Sequence, residues 1–294
     1  MHLIHNVSEM QRHADAARAA GKRLVLVPTM GALHEGHFAL VREGLRNGNE
    51  ITVSIFVNPT QFGPGEDYSR YPRTLEDDLE RLHEMESAIT VFAPSVEEMY
   101  PGGTDTNLSW VEVERLDEHL CGRHRPGHFR GVATVVARLL NVCKPHVAIF
   151  GLKDAQQFVI LNRMVKDLLF DVEVIGLPTV READGLALSS RNAFLTPEER
   201  SRAVVIARAV EAGKRAIEGG ARRAEDVTAK MRDILAGEPR ARPQYVELVD
   251  AAMLQPISEI TPGREVLAAA AVFFGQTRLI DSAFLRSPGD LRKE

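Results

Sequence analysis

Four short segments hold the residues whose types and spacing could do chemistry. The first is Pro28-Thr29-Met30-Gly31-Ala32-Leu33-His34-Glu35-Gly36-His37. A strand ends there, a Gly-containing turn follows, and the pattern predicts a helix beginning around His37. A helix N-terminus presents unpaired N–H groups and the positive end of a dipole, which attracts phosphate. His34 and His37 lie three apart with Gly36 between them, so two imidazoles could meet one polyphosphate while the backbone approaches it closely. A zinc protease needs histidines four apart on one helix face. That spacing is missing, and no metal site is assigned. His-x-Gly-His after a first buried strand points to nucleotidyl transfer.

The second segment, Asn58-Pro59-Thr60-Gln61-Phe62-Gly63, follows a second strand, and the third, Gly151-Leu152-Lys153-Asp154-Ala155-Gln156-Gln157, follows a third. Gln61 and Gln157 offer donors and acceptors to a small polar substrate. Lys153 at a strand-to-helix turn suits a phosphate. The fourth is Leu188-Ser189-Ser190-Arg191-Asn192, where two hydroxyls and a guanidinium make a phosphate clamp. Neither a Walker A loop nor a Rossmann glycine fingerprint occurs. ATP, if bound, would rest on the His-x-Gly-His turn instead.

The elements that must position these residues follow from apolar patterning. Leu24–Val27 and Val147–Phe150 are short apolar runs and Ile51–Val57 is rich in β-branched residues, as expected of strands buried on both faces of a parallel sheet. Val132, Val135, Val136, Leu139 and Leu140 fall at helical spacing between them. The alternation predicts a doubly wound α/β domain over residues 1–178. Ligands of such sheets bind outside the carboxyl ends of the strands, so the three loops should converge on one crevice. Residues 179–294 read as a smaller C-terminal α+β domain, a lid. Ala183-Asp184-Gly185 marks a hairpin, with the Ser-Ser-Arg segment on its second arm. Thr196-Pro197-Glu198-Glu199 opens one long helix to about Glu218, where Gly219-Gly220 stops it. A second helix follows. Strands are expected near Gln244–Val249, Val266–Phe274 and Thr277–Asp281.

Composition narrows the class. The chain has 294 residues, 44% hydrophobic and 26% charged, with a formal net charge of −5. That excludes collagen, low-complexity disorder and coiled-coil rods, and disfavours a nucleic-acid or anionic-membrane binder. Two cysteines, Cys121 and Cys143, build no disulfide scaffold and match no zinc spacing. The longest apolar run, Val266 to Phe274, is nine residues, too short to span a bilayer. A cytoplasmic protein is expected.

Taken in order, Val27-Pro28-Thr29-Met30-Gly31, His34 to His37, Ser54 to Pro59, Tyr71-Pro72-Arg73-Thr74, Arg125 to Phe129, Lys153-Asp154 with Gln156-Gln157, and Asp184 to Asn192 resemble the pantothenate synthetase (pantoate–β-alanine ligase) family over nearly the whole chain. That family belongs to the His-x-Gly-His nucleotidyltransferases, relatives by fold of class I aminoacyl-tRNA synthetases. The resemblance implies a Rossmann-like nucleotidyltransferase domain. It implies condensation of (R)-pantoate with β-alanine through an enzyme-bound pantoyl adenylate, releasing pyrophosphate and AMP, with Mg²⁺ held mainly by the ATP phosphates. It places ATP over Met30, Gly31, His34 and His37, over Gly151, Leu152, Lys153 and Asp154, at Val180, and over Leu188, Ser189, Ser190 and Arg191. Pantoate and β-alanine fall to Gln61, Gln157 and Asn58. His37 is the position similar to the catalytic histidine, with His34, Lys153, Ser189 and Arg191 beside it in role. A homodimer is implied. Thr60, Cys121, Leu152 and Ala155 depart from the commonest pattern of the family. Asp77 and Asp78 lie where a metal contact has been suggested in the family, yet with Arg81 they read as a solvated helix face. The rival readings are a nucleotidyltransferase acting on another small substrate and an inactive nucleotide-binding relative.

Overall fold

The computed structural model describes residues 1–85 and 89–288. In chain order the elements are β1 (His2–Ile4), α1 (Val7–Ala19), β2 (Leu24–Thr29), α2 (Glu35–Asn47), β3 (Glu50–Ile55), α3 (Leu75–Met85), β4 (Ile89–Phe92), α4 (Val96–Met99), α5 (Leu120–His124), α6 (His128–Cys143), β5 (Val147–Gly151), α7 (Ala155–Asp167), β6 (Glu173–Leu177), α8 (Pro197–Ala203), α9 (Val205–Glu218), α10 (Ala224–Ala236), β7 (Arg242–Asp250), β8 (Glu265–Phe274) and β9 (Thr277–Arg286). The chain divides into two compact units. One takes in Met1–Val113, Arg125–Leu152 and Ile160–Pro178, the other Glu114–His124, Lys153–Val159 and the chain from Thr179 on.

The first unit is built on a six-stranded, all-parallel sheet of order β1-β4-β3-β2-β5-β6, a Rossmann-like α/β core. Val25 and Val27 pair with Ile51 and Val53 on one side, and Val25 pairs with Val147 on the other. These strands are mostly apolar because neither face meets water: Val25, Val27, Val53, Val147 and Ile149 join Phe38, Val41 and Leu82 in one core. After β2 the chain winds outward through β3 and β4, then returns to β5 on β2's other side. The order reverses between β2 and β5, the place where open α/β sheets bind ligands. The turns that follow β2 and β5 therefore start side by side.

The second unit has a three-stranded antiparallel sheet, β7-β8-β9. Val266, Ala268, Ala270, Val272 and Phe274 of β8 share a core with Val210, Ile217, Val227 and Met231 of α9 and α10. Thr196 opens α8 with a capping box: its hydroxyl accepts from Glu199 N (3.2 Å), and the Glu199 carboxylate accepts from Thr196 N (2.9 Å).

Two local expectations need correction. The single helix to Glu218 is two, α8 and α9, interrupted at Val204. Val204, Val205 and Ile206 are three consecutive β-branched residues, which crowd a helix, and Ala203, Val204 and Ile206 are all buried. The hairpin around Asp184 shrinks to one bridge, Arg181 with Ala187, and a Leu188 N–Val180 O bond of 3.0 Å. Ser189 and Ser190 are not on a strand arm. The Ser189 hydroxyl accepts from Arg191 N (3.3 Å) and starts a 3-10 turn over Ser190–Phe194. Serine hydroxyls close such turns by competing with the ladder for backbone donors.

Candidate active site

The turn after β2 is unusual in backbone and in capping. Gly31 and Ala32 are both left-handed, with φ of 80° and 49°. For Ala32 that conformation costs roughly 1–2 kcal/mol, because its Cβ crowds the carbonyl. Asp78, on α3, holds it: its two carboxylate oxygens accept from Ala32 N (2.9 Å) and Leu33 N (2.7 Å). Asp78 is only 2% exposed. Burial raises its carboxyl above the usual range, against the Leu33 and Ala32 N–H bonds that lower it. The expected solvated helix face is therefore wrong at Asp78, although Asp77 beside it is exposed.

Helix α2 begins at Glu35, two residues earlier than expected, because His34 is its N-cap. His34 Nδ1 accepts from Gly36 N (3.1 Å), and His37 Nδ1 accepts from His34 N (3.3 Å). This is a capping box made of two imidazoles, whose rings stack with centroids 4.0 Å apart. A neutral imidazole that accepts at one nitrogen carries its proton on the other. The caps thus fix both rings as the tautomer with Nε2–H, a donor at the head of a helix dipole.

Beside this turn, Gln61 is held from three directions. Asn58 Nδ2 donates to Gln61 Oε1 (3.1 Å), and Gln61 Nε2 donates to Met30 Sδ (3.1 Å). The Gln61 carbonyl meets Arg125 Nη2 (3.3 Å) and His128 Nδ1 (2.7 Å). Arg125 is fixed in turn by Glu66 (2.7 Å). Asn58, 1% exposed, also donates to Gly131 O (3.2 Å) and accepts from Tyr100 OH (2.9 Å) and Thr60 Oγ1 (3.0 Å). Both its N–H groups and both lone pairs are engaged, so it braces Gln61. Thr60 joins this network through its hydroxyl. Burial raises the Tyr100 phenol above its ordinary value.

Gly131 lets α6 reach the Asn58–Gln61 turn. A Cβ there would lie 2.3 Å from Thr60 O. Gly131→Ala is therefore expected to destabilise the fold by about 1–3 kcal/mol through backbone displacement, measured as a lower midpoint in thermal unfolding. An unchanged midpoint would mean the turn yields freely.

Met30, Gly31, His34, His37, Asn58, Gln61, Gly151 and Leu152 thus fall in the first unit. Lys153, Asp154, Gln157, Val180, Leu188, Ser189, Ser190 and Arg191 fall in the second. There, Lys153 Nζ lies 3.5 Å from Asp154 Oδ2, and the backbone joins Val180 to Leu188. The two neighbouring glutamines differ. Gln156 is buried, donating to Leu116 O (2.8 Å) and His119 O (2.9 Å) and accepting from Gly122 N (3.2 Å). Gln157 is half-buried on the first turn of α7. Cys121 lies buried against Tyr245 OH (3.2 Å) and Arg278 (3.3 Å). Sequence reasoning missed the bracing roles of Asp78, Tyr100 and Gly131. Gly131, a glycine inside a helix, was the available signal. Among the described residues, no group of three or more His, Cys, Asp or Glu side chains is placed to hold a metal ion, and no helix is long and apolar enough to cross a membrane.

A helix start of this kind, at the switch point of an open parallel sheet, is the arrangement of α/β proteins that bind phosphorylated ligands. Residues 2–284 match the pantoate-beta-alanine ligase family. A pantothenate synthetase of Salinibacter ruber is 60% identical over 292 residues, covering 98% of this chain and 99% of that protein. Among solved structures, pantothenate synthetase from Thermus thermophilus is 44% identical with a TM-score of 0.87, covering 96% of this chain and 99% of that one. Pantoate-beta-alanine ligase from Francisella tularensis, complexed with Beta-gamma ATP and beta-alanine, is 32% identical with a TM-score of 0.78, covering 97% of each chain. The chain belongs to the pantoate-beta-alanine ligase family.

Proposed function

We propose that this enzyme condenses (R)-pantoate with β-alanine at the expense of ATP. The observation that carries the reading is the imidazole capping box at the head of α2, in a chain matched to this ligase family from residue 2 to residue 284. In the first step a pantoate carboxylate oxygen attacks the α-phosphorus and pyrophosphate leaves. In the second, the β-alanine amine attacks the acyl carbon of the pantoyl adenylate and AMP leaves. Negative charge grows on phosphate oxygens in the first step, so the chain's contribution is positioned donors. His34 and His37 supply Nε2–H groups. Lys153, Ser189, Ser190 and Arg191 are assigned as further phosphate donors. Met30, Gly31, Gly151, Leu152, Asp154, Val180 and Leu188 are assigned to the nucleotide's surroundings. Gln61 and Gln157 are assigned to pantoate, with Asn58 serving through Gln61. The Gln61 amide keeps hydrogen-bonding capacity beyond its two side-chain contacts.

The residues present fit Mg²⁺ carried on the triphosphate, since both Asp78 oxygens are occupied by backbone N–H groups. When bound there, the ion would neutralise charge on the departing pyrophosphate. The family reading also carries a cytoplasmic homodimer.

Pyrophosphate–ATP exchange tests the proposal. Exchange should require (R)-pantoate, and adding β-alanine should yield pantothenate and AMP. Exchange indifferent to pantoate, or none in either condition, would overturn it.

A further inference from the structure

The turn that carries His34 and His37 does not hold itself. Two successive left-handed residues, Gly31 and Ala32, precede it, and neighbouring α3 grips it at both kinds of backbone group. Asp78 takes the N–H groups of Ala32 and Leu33, one per carboxylate oxygen. Arg81, one turn further along α3, donates through Nη1 to the Leu33 carbonyl (2.8 Å) and through Nη2 to Glu35 Oε1 (3.2 Å). Its guanidinium lies 4.3 Å from the centre of the Phe38 ring. Leu33, the residue before the N-cap, is thus fixed at both its N–H and its C=O.

We propose that Asp78, assisted by Arg81, is a positioning residue for nucleotide activation, acting through the backbone of Ala32 and Leu33 and not as a metal ligand. The proposal rests on the reading of the His34–His37 turn as the nucleotide site. Any rotation at Leu33 would turn the His34 N–H away from His37 Nδ1 and unstack the two rings. The Ala32 and Leu33 N–H groups, taken by a carboxylate, are not donors to phosphate. What the turn offers a triphosphate is then the imidazole pair itself, whose direction α3 sets. A metal ion on Asp78 would have to displace two backbone hydrogen bonds, of 2.9 and 2.7 Å.

The test is Asp78→Asn, which keeps the shape but replaces one acceptor oxygen by an N–H₂ facing a backbone N–H. Calorimetric titration with a non-hydrolysable β,γ-ATP analogue, in Mg²⁺ and separately in EDTA, should show affinity weaker by about tenfold to a hundredfold in both arms, the scale of one unsatisfied buried donor. The KM for ATP in pantoate-dependent exchange should rise by a similar factor, with the KM for β-alanine in the full reaction unchanged. A loss confined to the Mg²⁺ arm would make Asp78 a metal ligand and overturn the proposal. Wild-type affinity in both arms would overturn it too. Arg81→Met keeps the stem over Phe38 and removes the Leu33 bond, so it serves if Asp78→Asn does not fold. It should weaken the analogue by roughly threefold to tenfold in both arms, and no change would overturn the clamp. Failure of the wild-type enzyme to show pantoate-dependent exchange would instead overturn the ligase reading. Wild-type exchange with an indifferent Asp78→Asn leaves that reading standing and removes only this one.

Discussion

Lys153→Ala is expected to slow pantoyl adenylate formation about a hundredfold to a thousandfold, the scale of losing one transition-state donor. Thermal unfolding should barely change. Lys153 sits in the 3-10 turn directly after β5, at the edge of the switch point. Its ammonium is 3.5 Å from an Asp154 carboxylate whose side chain is 47% exposed. An ion pair that long contributes little to stability, and the lysine side chain, 20% exposed, adds only the packing of its stem. Its charge is available for a ligand of higher charge density. Lys153→Arg should recover only part of the rate, because a planar fork does not replace a compact ammonium in the same space. A single-turnover measurement of pyrophosphate release with ATP and pantoate alone isolates the first step. A rate within a fewfold of wild type would remove Lys153 from the phosphate donors.

The sequence exposes the sheet better than the turns that the chemistry uses. Val25 to Val27 and Val147 to Ile149 are apolar at every position because both faces are covered, so no periodicity is needed to find them; Ile51 to Val53 departs only at the buried Thr52. Their order in the sheet, reversing between β2 and β5, is that of doubly wound folds, whose ligands lie outside the carboxyl ends of the strands. Turns depend on partners far away in sequence. Asp78 sits among Glu76, Asp77 and Glu80 and looks like any acidic first turn of a helix. Only the tertiary approach of Ala32 and Leu33, 46 and 45 residues away, makes it different. Helix α2 starts at Glu35 and not near His37 because its capping residue is a histidine, outside the Ser, Thr, Asp and Asn set that marks helix starts. Ser189 shows the reverse case. Its local hydrogen bond to Arg191 was within reach of sequence rules, but strand continuity from the Asp184 turn outweighed it. Gln156 and Gln157 are alike in sequence, and only the carbonyls of Leu116 and His119 separate a buried structural brace from its half-buried neighbour.

His37 joins the two levels, since the same ring closes a helix and is assigned to the phosphate. His37→Ala should therefore show two separable losses. The cap bond from His34 N disappears, costing about 1 kcal/mol of stability. The Nε2–H donor also disappears, slowing adenylate formation roughly a hundredfold to a thousandfold. His37→Gln divides them. Glutamine at the third helical position is a regular partner in a capping box, so its carbonyl can turn back onto the His34 N–H and restore the cap. In glutamine the capping acceptor stands one bond further from Cβ than Nδ1 does, so with the carbonyl on the His34 N–H the amide N–H₂ is displaced from the Nε2–H position. The expected result is a thermal midpoint near wild type for His37→Gln, a midpoint lower by a few degrees for His37→Ala, and comparably depressed adenylate formation in both. Recovery of the rate in His37→Gln would assign His37 to the helix cap alone. The transition-state charge would then fall to His34 and Lys153.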